Sequence, residues 1–257
     1  MIHETAHIAP DAQLGVNVTV GPFCVIDKDV VVGDNCRVGP HAYITGNTTI
    51  GDGTEIHASA VIGGTPQDKH YKGEESYTEI GSDCILREYV TIHRGTDPGT
   101  TTRVGNRVMM MATSHAGHNC CIGNDVVMAN GSMLGGHVHV DDRAFISALV
   151  AVHQFVRIGE LAMVGGINRI RQDIPPYCMV QLEQVQGLNS IGLRRAGFPA
   201  SVRSALKKAF TIFFKQGRNR QNALQVIRDE VEPLPEVEKF IAFIDATERG
   251  ITGGTTS

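Results

Sequence analysis

An aliphatic residue returns at every sixth position over most of this chain. From Ile8 it falls on Leu14, Val20, Ile26, Val32, Val38, Ile44, Ile50, Ile56 and Ile62, and the register resumes at Ile80, Leu86 and Ile92. It then runs from Val104 through Met110, Ala116, Ile122, Met128, Leu134, Val140, Ile146, Val152, Ile158 and Val164 to Ile170, with Ala116 the weakest anchor. Glycine often follows the anchor, as at Gly15 and Gly123, and a small or β-branched residue stands four positions after it, as at Val18, Cys24, Ala42 and Thr54. A period of six is neither the about 3.6 of a helix nor the simple alternation of a strand. It fits a short strand and a sharp turn, repeated so that the anchor always points inward. Three such units make a triangular coil of 18 residues, and coils stack at the strand spacing of about 4.8 Å. The repeat therefore implies an all-β, left-handed parallel β-helix with columns of aliphatics inside and small residues at the corners.

Two segments break the register, residues 63–79 (GGTPQDKHYKGEESYTE) and 97–103 (DPGTTTR). Loops leaving a rigid scaffold often carry function. Beyond about Pro176 the period changes. Val202, Ala205, Leu206, Ala209, Phe210 and Phe213 recur at helical spacing, which predicts a helix over 199–217. Asn219 is placed to cap a second helix through Glu230, and 235–248 reads as a third. Residues 250–257 read as a frayed tail. The expected division is a β-helix over 1–190 and a C-terminal α-helical subdomain over 191–257, packed on the end of the β-helix or on a neighbouring subunit.

Charged residues are 19% of the 257, and the formal net charge is -4. That balance gives no general affinity for nucleic acid, and the apolar content argues against disorder. No apolar run approaches the roughly 18 residues of a membrane span, and the start MIHETAHIAP has no leader pattern. The expectation is a cytoplasmic protein without an integral membrane segment.

Of six cysteines, Cys24, Cys36, Cys84 and Cys120 take the corner position, where they fill space. Cys121 and Cys178 fall outside that position. Nine basic residues, among them Arg194, Arg195, Arg203, Lys207 and Lys215, lie between Gln184 and Arg228 without one Asp or Glu. They form either a solvated helix face or a docking patch for an acidic partner or phosphates. The histidines are more specific. Ala116, Leu134 and Val152 lie 18 apart, and their hexads carry His118, His137 and His153, with His115 and Gln154 beside them. Imidazoles on successive rungs of one column fit a metal site or an acid/base set. The close pairs here, 115/118 and 137/139, and the lack of a completing Cys or carboxylate favour acid/base work.

The segments VTIHRGT (90–96), SHAGHNC (114–120), LGGHV (134–138), AVHQF (151–155), MVGG (163–166) and QDIPPY (172–177) resemble those of the UDP-N-acetylglucosamine O-acyltransferases that open lipid A biosynthesis. The resemblance covers nearly the whole chain. It implies transfer of a 3-hydroxyacyl group from acyl carrier protein to the 3-hydroxyl of the UDP-sugar, without metal or other cofactor, by a homotrimer with sites between neighbouring β-helices. By the same resemblance His118 is the general base, and the Gly136 N–H polarises the thioester carbonyl. Gln67 and Asp68 grip sugar and acyl hydroxyl, while His93, His115, His137, His153 and Gln154 contact sugar nucleotide or acyl donor. Asn189 and Arg195 mark the nucleotide end, and Gly166 the gauge of acyl length. The acidic carrier protein is a partner for the basic patch.

Three positions depart from the family pattern. Asn119 follows the base where Asp is common, so its amide oxygen orients the ring without bringing charge. His70 replaces a lysine, with Lys69 displaced by one, and Ile191 replaces an acidic residue. Alternative activities are N-acylation of the 3-amino sugar nucleotide, for which a weaker base suffices, and coenzyme A-dependent acetyl transfer. A non-catalytic β-helix would leave the histidine column unexplained.

Overall fold

The computed structural model describes residues 1–253. Short strands, most of two residues, stack into three sheets of 9, 8 and 10 strands that form the faces of a left-handed parallel β-helix. The first face runs from His7–Ile8 to Arg169–Ile170, the second from Gln13–Leu14 to Arg157–Ile158, and the third from Thr19–Val20 onward. Cα partners are 18 residues apart along most of each face, as in Ala116↔Leu134 and Leu134↔Val152. Across the two insertions the steps lengthen, to Val61↔Thr91 and Thr91↔His115. The anchors from Val20 to Ile170 are buried, and so are the four corner cysteines.

Each coil turns through a residue three after the anchor that adopts left-handed backbone: Asn119 at φ 59°, His137 at 59° and Phe155 at 64° are examples. A non-glycine residue there costs about 1–2 kcal/mol, whereas burying an Ile or Leu anchor contributes about 1.5–3 kcal/mol. The buried column outweighs the strained turns. Between the second and third faces an Asp/Asn ladder captures the turn amides. Asp34 Oδ1 accepts from the Val16 N–H at 2.7 Å, Asn106 Oδ1 from Ser82 at 2.8 Å and Asp142 Oδ1 from Asn124 at 2.7 Å.

The third face ends in an antiparallel hairpin, Cys178–Gln181 with Gln184–Leu188. Four helices follow: α1 (Ser190–Arg195), α2 (Ala200–Lys215), α3 (Arg220–Glu230, capped by Asn219) and α4 (Pro235–Asp245). The last three match the expected helices within a few residues. The hairpin and α1 were not expected, because neither is long enough to show a period. The helices dock on their own β-helix. Lys239 Nζ lies 2.6 Å from Glu160 Oε2, Arg143 also pairs with Glu160, and the Arg157 guanidinium lies over the Phe243 ring at 4.2 Å. The tail corrects one expectation. Residues 250–253 are not frayed: Thr252 N–H donates to Asp173 O at 2.8 Å and Val185 N–H to Gly253 O at 2.7 Å, since those buried backbone groups need partners. The remainder of the expected tail, 254–257, lies outside the described residues.

Candidate active site

Both inserted loops leave the regular coil at one corner, between the first and second faces. The first loop (65–76) joins strands Val61–Gly64 and Tyr77–Ile80, and the second (94–100) joins Thr91–His93 and Thr101–Val104. On the next rungs the same corner carries His118, then Gly136 and His137, then His153 and Gln154. The loops brace each other. Arg94 Nη1 donates to Gly63 O at 2.8 Å, its Nε and Nη2 donate to the Tyr71 hydroxyl at 3.1 Å, and the Gly99 N–H donates to Glu75 O at 2.8 Å.

This bracing brings Asp68 Oδ2 to 3.7 Å from His118 Nε2. The Asp68 carboxyl is held below its usual range, first by the His70 backbone N–H at 2.8 Å and also by the nearby imidazoles. His70, exposed at the loop tip, thus orients the carboxylate through its amide, and its ring nitrogen Nδ1 lies 3.1 Å from the same Oδ1.

The protonation of His118 follows from its other side. The Thr96 backbone N–H donates to Asn119 Oδ1 at 3.0 Å, which fixes that atom as the oxygen. His118 Nδ1 lies 2.9 Å from the same oxygen, so Nδ1 carries the ring proton and Nε2 keeps its lone pair. Thr96 Oγ1 completes the bracket, 2.5 Å from Nδ1 and donating to Asn119 Oδ1 at 2.8 Å. Asn119 therefore orients the His118 ring, as its amide chemistry implied. Thr96 was missed, although it sits in the VTIHRGT segment; only the second loop's path reveals its contact.

The bracket gives a graded prediction. Thr96→Val removes one hydrogen bond to the ring and lowers kcat about tenfold, with KM nearly unchanged. Asn119→Asp places a charge on the developing imidazolium, raises kcat about 5-fold and moves the acid limb of the rate–pH profile to higher pH. Steady-state kinetics across pH checks both; equal profiles for the wild type and the two variants would remove the bracket from the reaction.

Gly136 is required by space. A Cβ there would stand 2.5 Å from both Cε1 and Nε2 of His118. The neighbouring amides are committed, Gly135 N–H to Val152 O and His137 N–H to His118 O, both at 2.9 Å, and the Gly136 N–H takes part in neither bond.

Three neighbouring imidazoles are weakened as bases. His93 is buried edge-on to His115, with ring centroids 4.8 Å apart, and burial pushes its pKa down to about 4. Burial also lowers His115, whose Nδ1 lies 2.7 Å from Thr91 Oγ1. His137 is lowered by burial and then by His118. Its ring stands perpendicular to His118 at 5.2 Å and stacks on Phe155 at 4.6 Å. All three stay neutral near neutral pH, which keeps positive charge away from His118. Among the described residues no group of three or more His, Cys, Asp and Glu side chains converges as a metal site.

The predicted residues divide into two groups. Asp68, His93, His118, Gly136 and His137 share the first–second corner, and His115 stands beside His93 on the first face. His153 and Gln154 continue it, exposed, with His153 Nδ1 3.3 Å from Arg249 Nη2, and Gln67 is exposed on the first loop. Asn189, Arg195 and Gly166 lie elsewhere. Asn189 and Arg195 line a cavity of about 560 Å³ on the third face, with Phe145, Met163, Met179 and Ile191. Asn189 also caps α1, accepting from the Gly192 N–H at 2.9 Å. Gly166 turns the chain from the third face to the first, where a Cβ would lie 3.2 Å from Ala148 O. The 18-residue count could have separated the groups, because the Val164 anchor is out of phase with Ala116.

Comparison with known proteins adds to this geometry. A family model described as UDP N-acetylglucosamine O-acyltransferase, domain 2, matches residues 173–252, and a bacterial transferase hexapeptide model of six repeats matches 29–64. The acyl-[acyl-carrier-protein]–UDP-N-acetylglucosamine O-acyltransferase of Alkalilimnicola ehrlichii is 48% identical over 254 residues, 97% of this chain and 98% of that protein. The protein of the same name from Synechocystis is 46% identical over 188 residues, 72% of this chain and 67% of that one. A crystal structure of the UDP-N-acetylglucosamine acyltransferase from Bacteroides fragilis, 42% identical, superposes with a TM-score of 0.96 over 98% of this chain and 99% of that one. With sequence and coil agreeing from end to end, the chain belongs to the UDP-N-acetylglucosamine O-acyltransferase family.

Proposed function

We propose that this chain moves a 3-hydroxyacyl group from acyl carrier protein to the 3-hydroxyl of UDP-N-acetylglucosamine, the first step of lipid A assembly, using His118 as general base. The observation that carries this reading is the orientation of His118, with Nδ1–H spent on Asn119 and Thr96 and the Nε2 lone pair directed between Asp68 and Gly136. Nε2 takes the hydroxyl proton as the sugar oxygen attacks the thioester carbonyl. The Gly136 N–H steadies the oxyanion. The proton then passes to the departing carrier thiolate, giving an ester and a free thiol. Asp68 stabilises the transient imidazolium, and Gln67, His93, His115, His137, His153 and Gln154 line the path of the sugar nucleotide and acyl donor.

The outward side chains of the faces support a homotrimer. On the second face they are Glu79, Arg103, Cys121, His139 and Arg157, a row suited to water. The first face presents Tyr43 and Met133, and the third Ile85 and Phe145, each more than a third exposed. Packing the first face of one copy on the third face of the next covers both, and three-fold rotation closes the ring. The same contact carries Asn189 and Arg195 of one copy to the catalytic corner of its neighbour, with Gly166 and the methionine-lined cavity receiving the acyl chain. The β-helix, 1–190, carries the chemistry. Arg194, Arg195 and Lys207 of the helical part, 191–257, remain exposed for the acidic carrier protein, whereas Lys208, Arg220 and Arg228 bind Glu230, Thr247 and Asp245. No described helix is long and apolar enough to cross a membrane.

Mass spectrometry of the product from defined 3-hydroxyacyl carriers and both sugar nucleotides tests the reading. An ester on the 3-hydroxyl is expected. Preferred formation of an amide on the 3-amino sugar would replace it with the second reading, which the uncharged Asn119 beside the base favours. Turnover of a coenzyme A thioester alone would remove both.

A further inference from the structure

The second face carries a cluster of reactive groups apart from the catalytic corner. Strands Cys121–Ile122 and His139–Val140 pair in parallel with Cys121 opposite His139, and since Ile122 and Val140 are buried, the two side chains stand together on the outer side. The thiol and the imidazole are direct cross-strand neighbours on that outer side. On the ring's far side Nε2 lies 3.0 Å from Asp141 Oδ1. A carboxylate only accepts, so Nε2 carries the proton and the remaining ring nitrogen is free to take one from sulfur. Thiol, base and orienting carboxylate form the set that activates a sulfur nucleophile. Arg103 stands opposite Cys121 on the rung before, and Arg157 opposite His139 on the rung after. Arg103, shared with Glu79 at 2.9 Å, and Asp141 are charged groups acting on the sulfur, whereas the Arg157 guanidinium is engaged with Phe243.

We propose that Cys121 is a thiol modification site that exchanges with low-molecular-weight disulfides to form a mixed disulfide. The Cys121 sulfur, its proton taken by His139, attacks one sulfur of the disulfide, and the S–S bond breaks. The other half leaves as a thiol with the proton that His139 held. Cys121 is oxidised and the departing half is reduced, so no further oxidant is needed. The surroundings agree with this chemistry. The neighbouring His139 holds the Cys121 thiol below the usual range, and Asp141, followed by Cys121, raises His139 to about 10. The other five cysteines are buried and free, and burial raises all of them.

The test uses the folded full-length protein. With 4,4′-dithiodipyridine, one thiol per chain reacts in a fast phase that Cys121→Ser abolishes while keeping acyl-transfer activity. His139→Gln slows this phase about tenfold near pH 7 and converges with the wild type above about pH 9.5, where the thiolate forms without a base. With oxidised glutathione, intact-mass analysis shows one adduct on the wild type and none on Cys121→Ser. A missing fast phase, one that survives Cys121→Ser, or an unchanged pH profile in His139→Gln overturns the proposal.

Discussion

Replacing His118 by alanine lowers kcat by about 100-fold or more, the low end of what a positioned general base contributes. Melting temperature and oligomeric mass stay within error of the wild type. The ring sits at a turn outside the buried anchor column, and its loss leaves Thr96 and Asn119 still bonded to each other. No neighbouring imidazole substitutes. A pKa pushed down to about 4 makes His93 a poor proton acceptor, and His115 and His137 are lowered by burial as well. Of the four rings only His118 has its free nitrogen within ion-pair reach of a carboxylate. The measurement is single-turnover acyl transfer, which separates chemistry from product release. Activity within tenfold of the wild type would take the base role from His118 and hand it to Asp68 or to water.

Much of this was legible because the repeat is long. One aliphatic every six residues sets the strands, the buried column, the packing role of Cys24, Cys36, Cys84 and Cys120, and the vertical alignment of His118, His137 and His153. Short-range order with no period escaped. The hairpin Cys178–Gln181 with Gln184–Leu188 and helix α1 are local and too short to show a period, and the return of Thr252 to Asp173 joins residues far apart in the chain. The site divides the same way. The rung positions of the histidines follow from counting, whereas the approach of Asp68 and Thr96 depends on how two irregular loops fold back. Nothing in the period encodes that path; Arg94 and Tyr71 do.

The division of the predicted residues between two regions of the prism leads to the second large effect. His118 lies at the first–second corner, and Arg195 lines the cavity on the third face. If one copy supplies the base and its neighbour the arginine, then His118→Ala and Arg195→Ala chains are each nearly inactive alone but complement when mixed. In a ring of heterologous contacts, random mixing at equal amounts pairs an intact His118 with an intact Arg195 at one interface in four, so about a quarter of wild-type activity returns. The chains are to be unfolded and refolded together, with light scattering confirming assemblies of three 27.7 kDa chains. The outcome separates two geometries. A site built within one chain predicts no recovery at any mixing ratio, because every chain then lacks either its base or its arginine. Recovery that follows the product of the two mole fractions requires the base and the arginine to come from different copies.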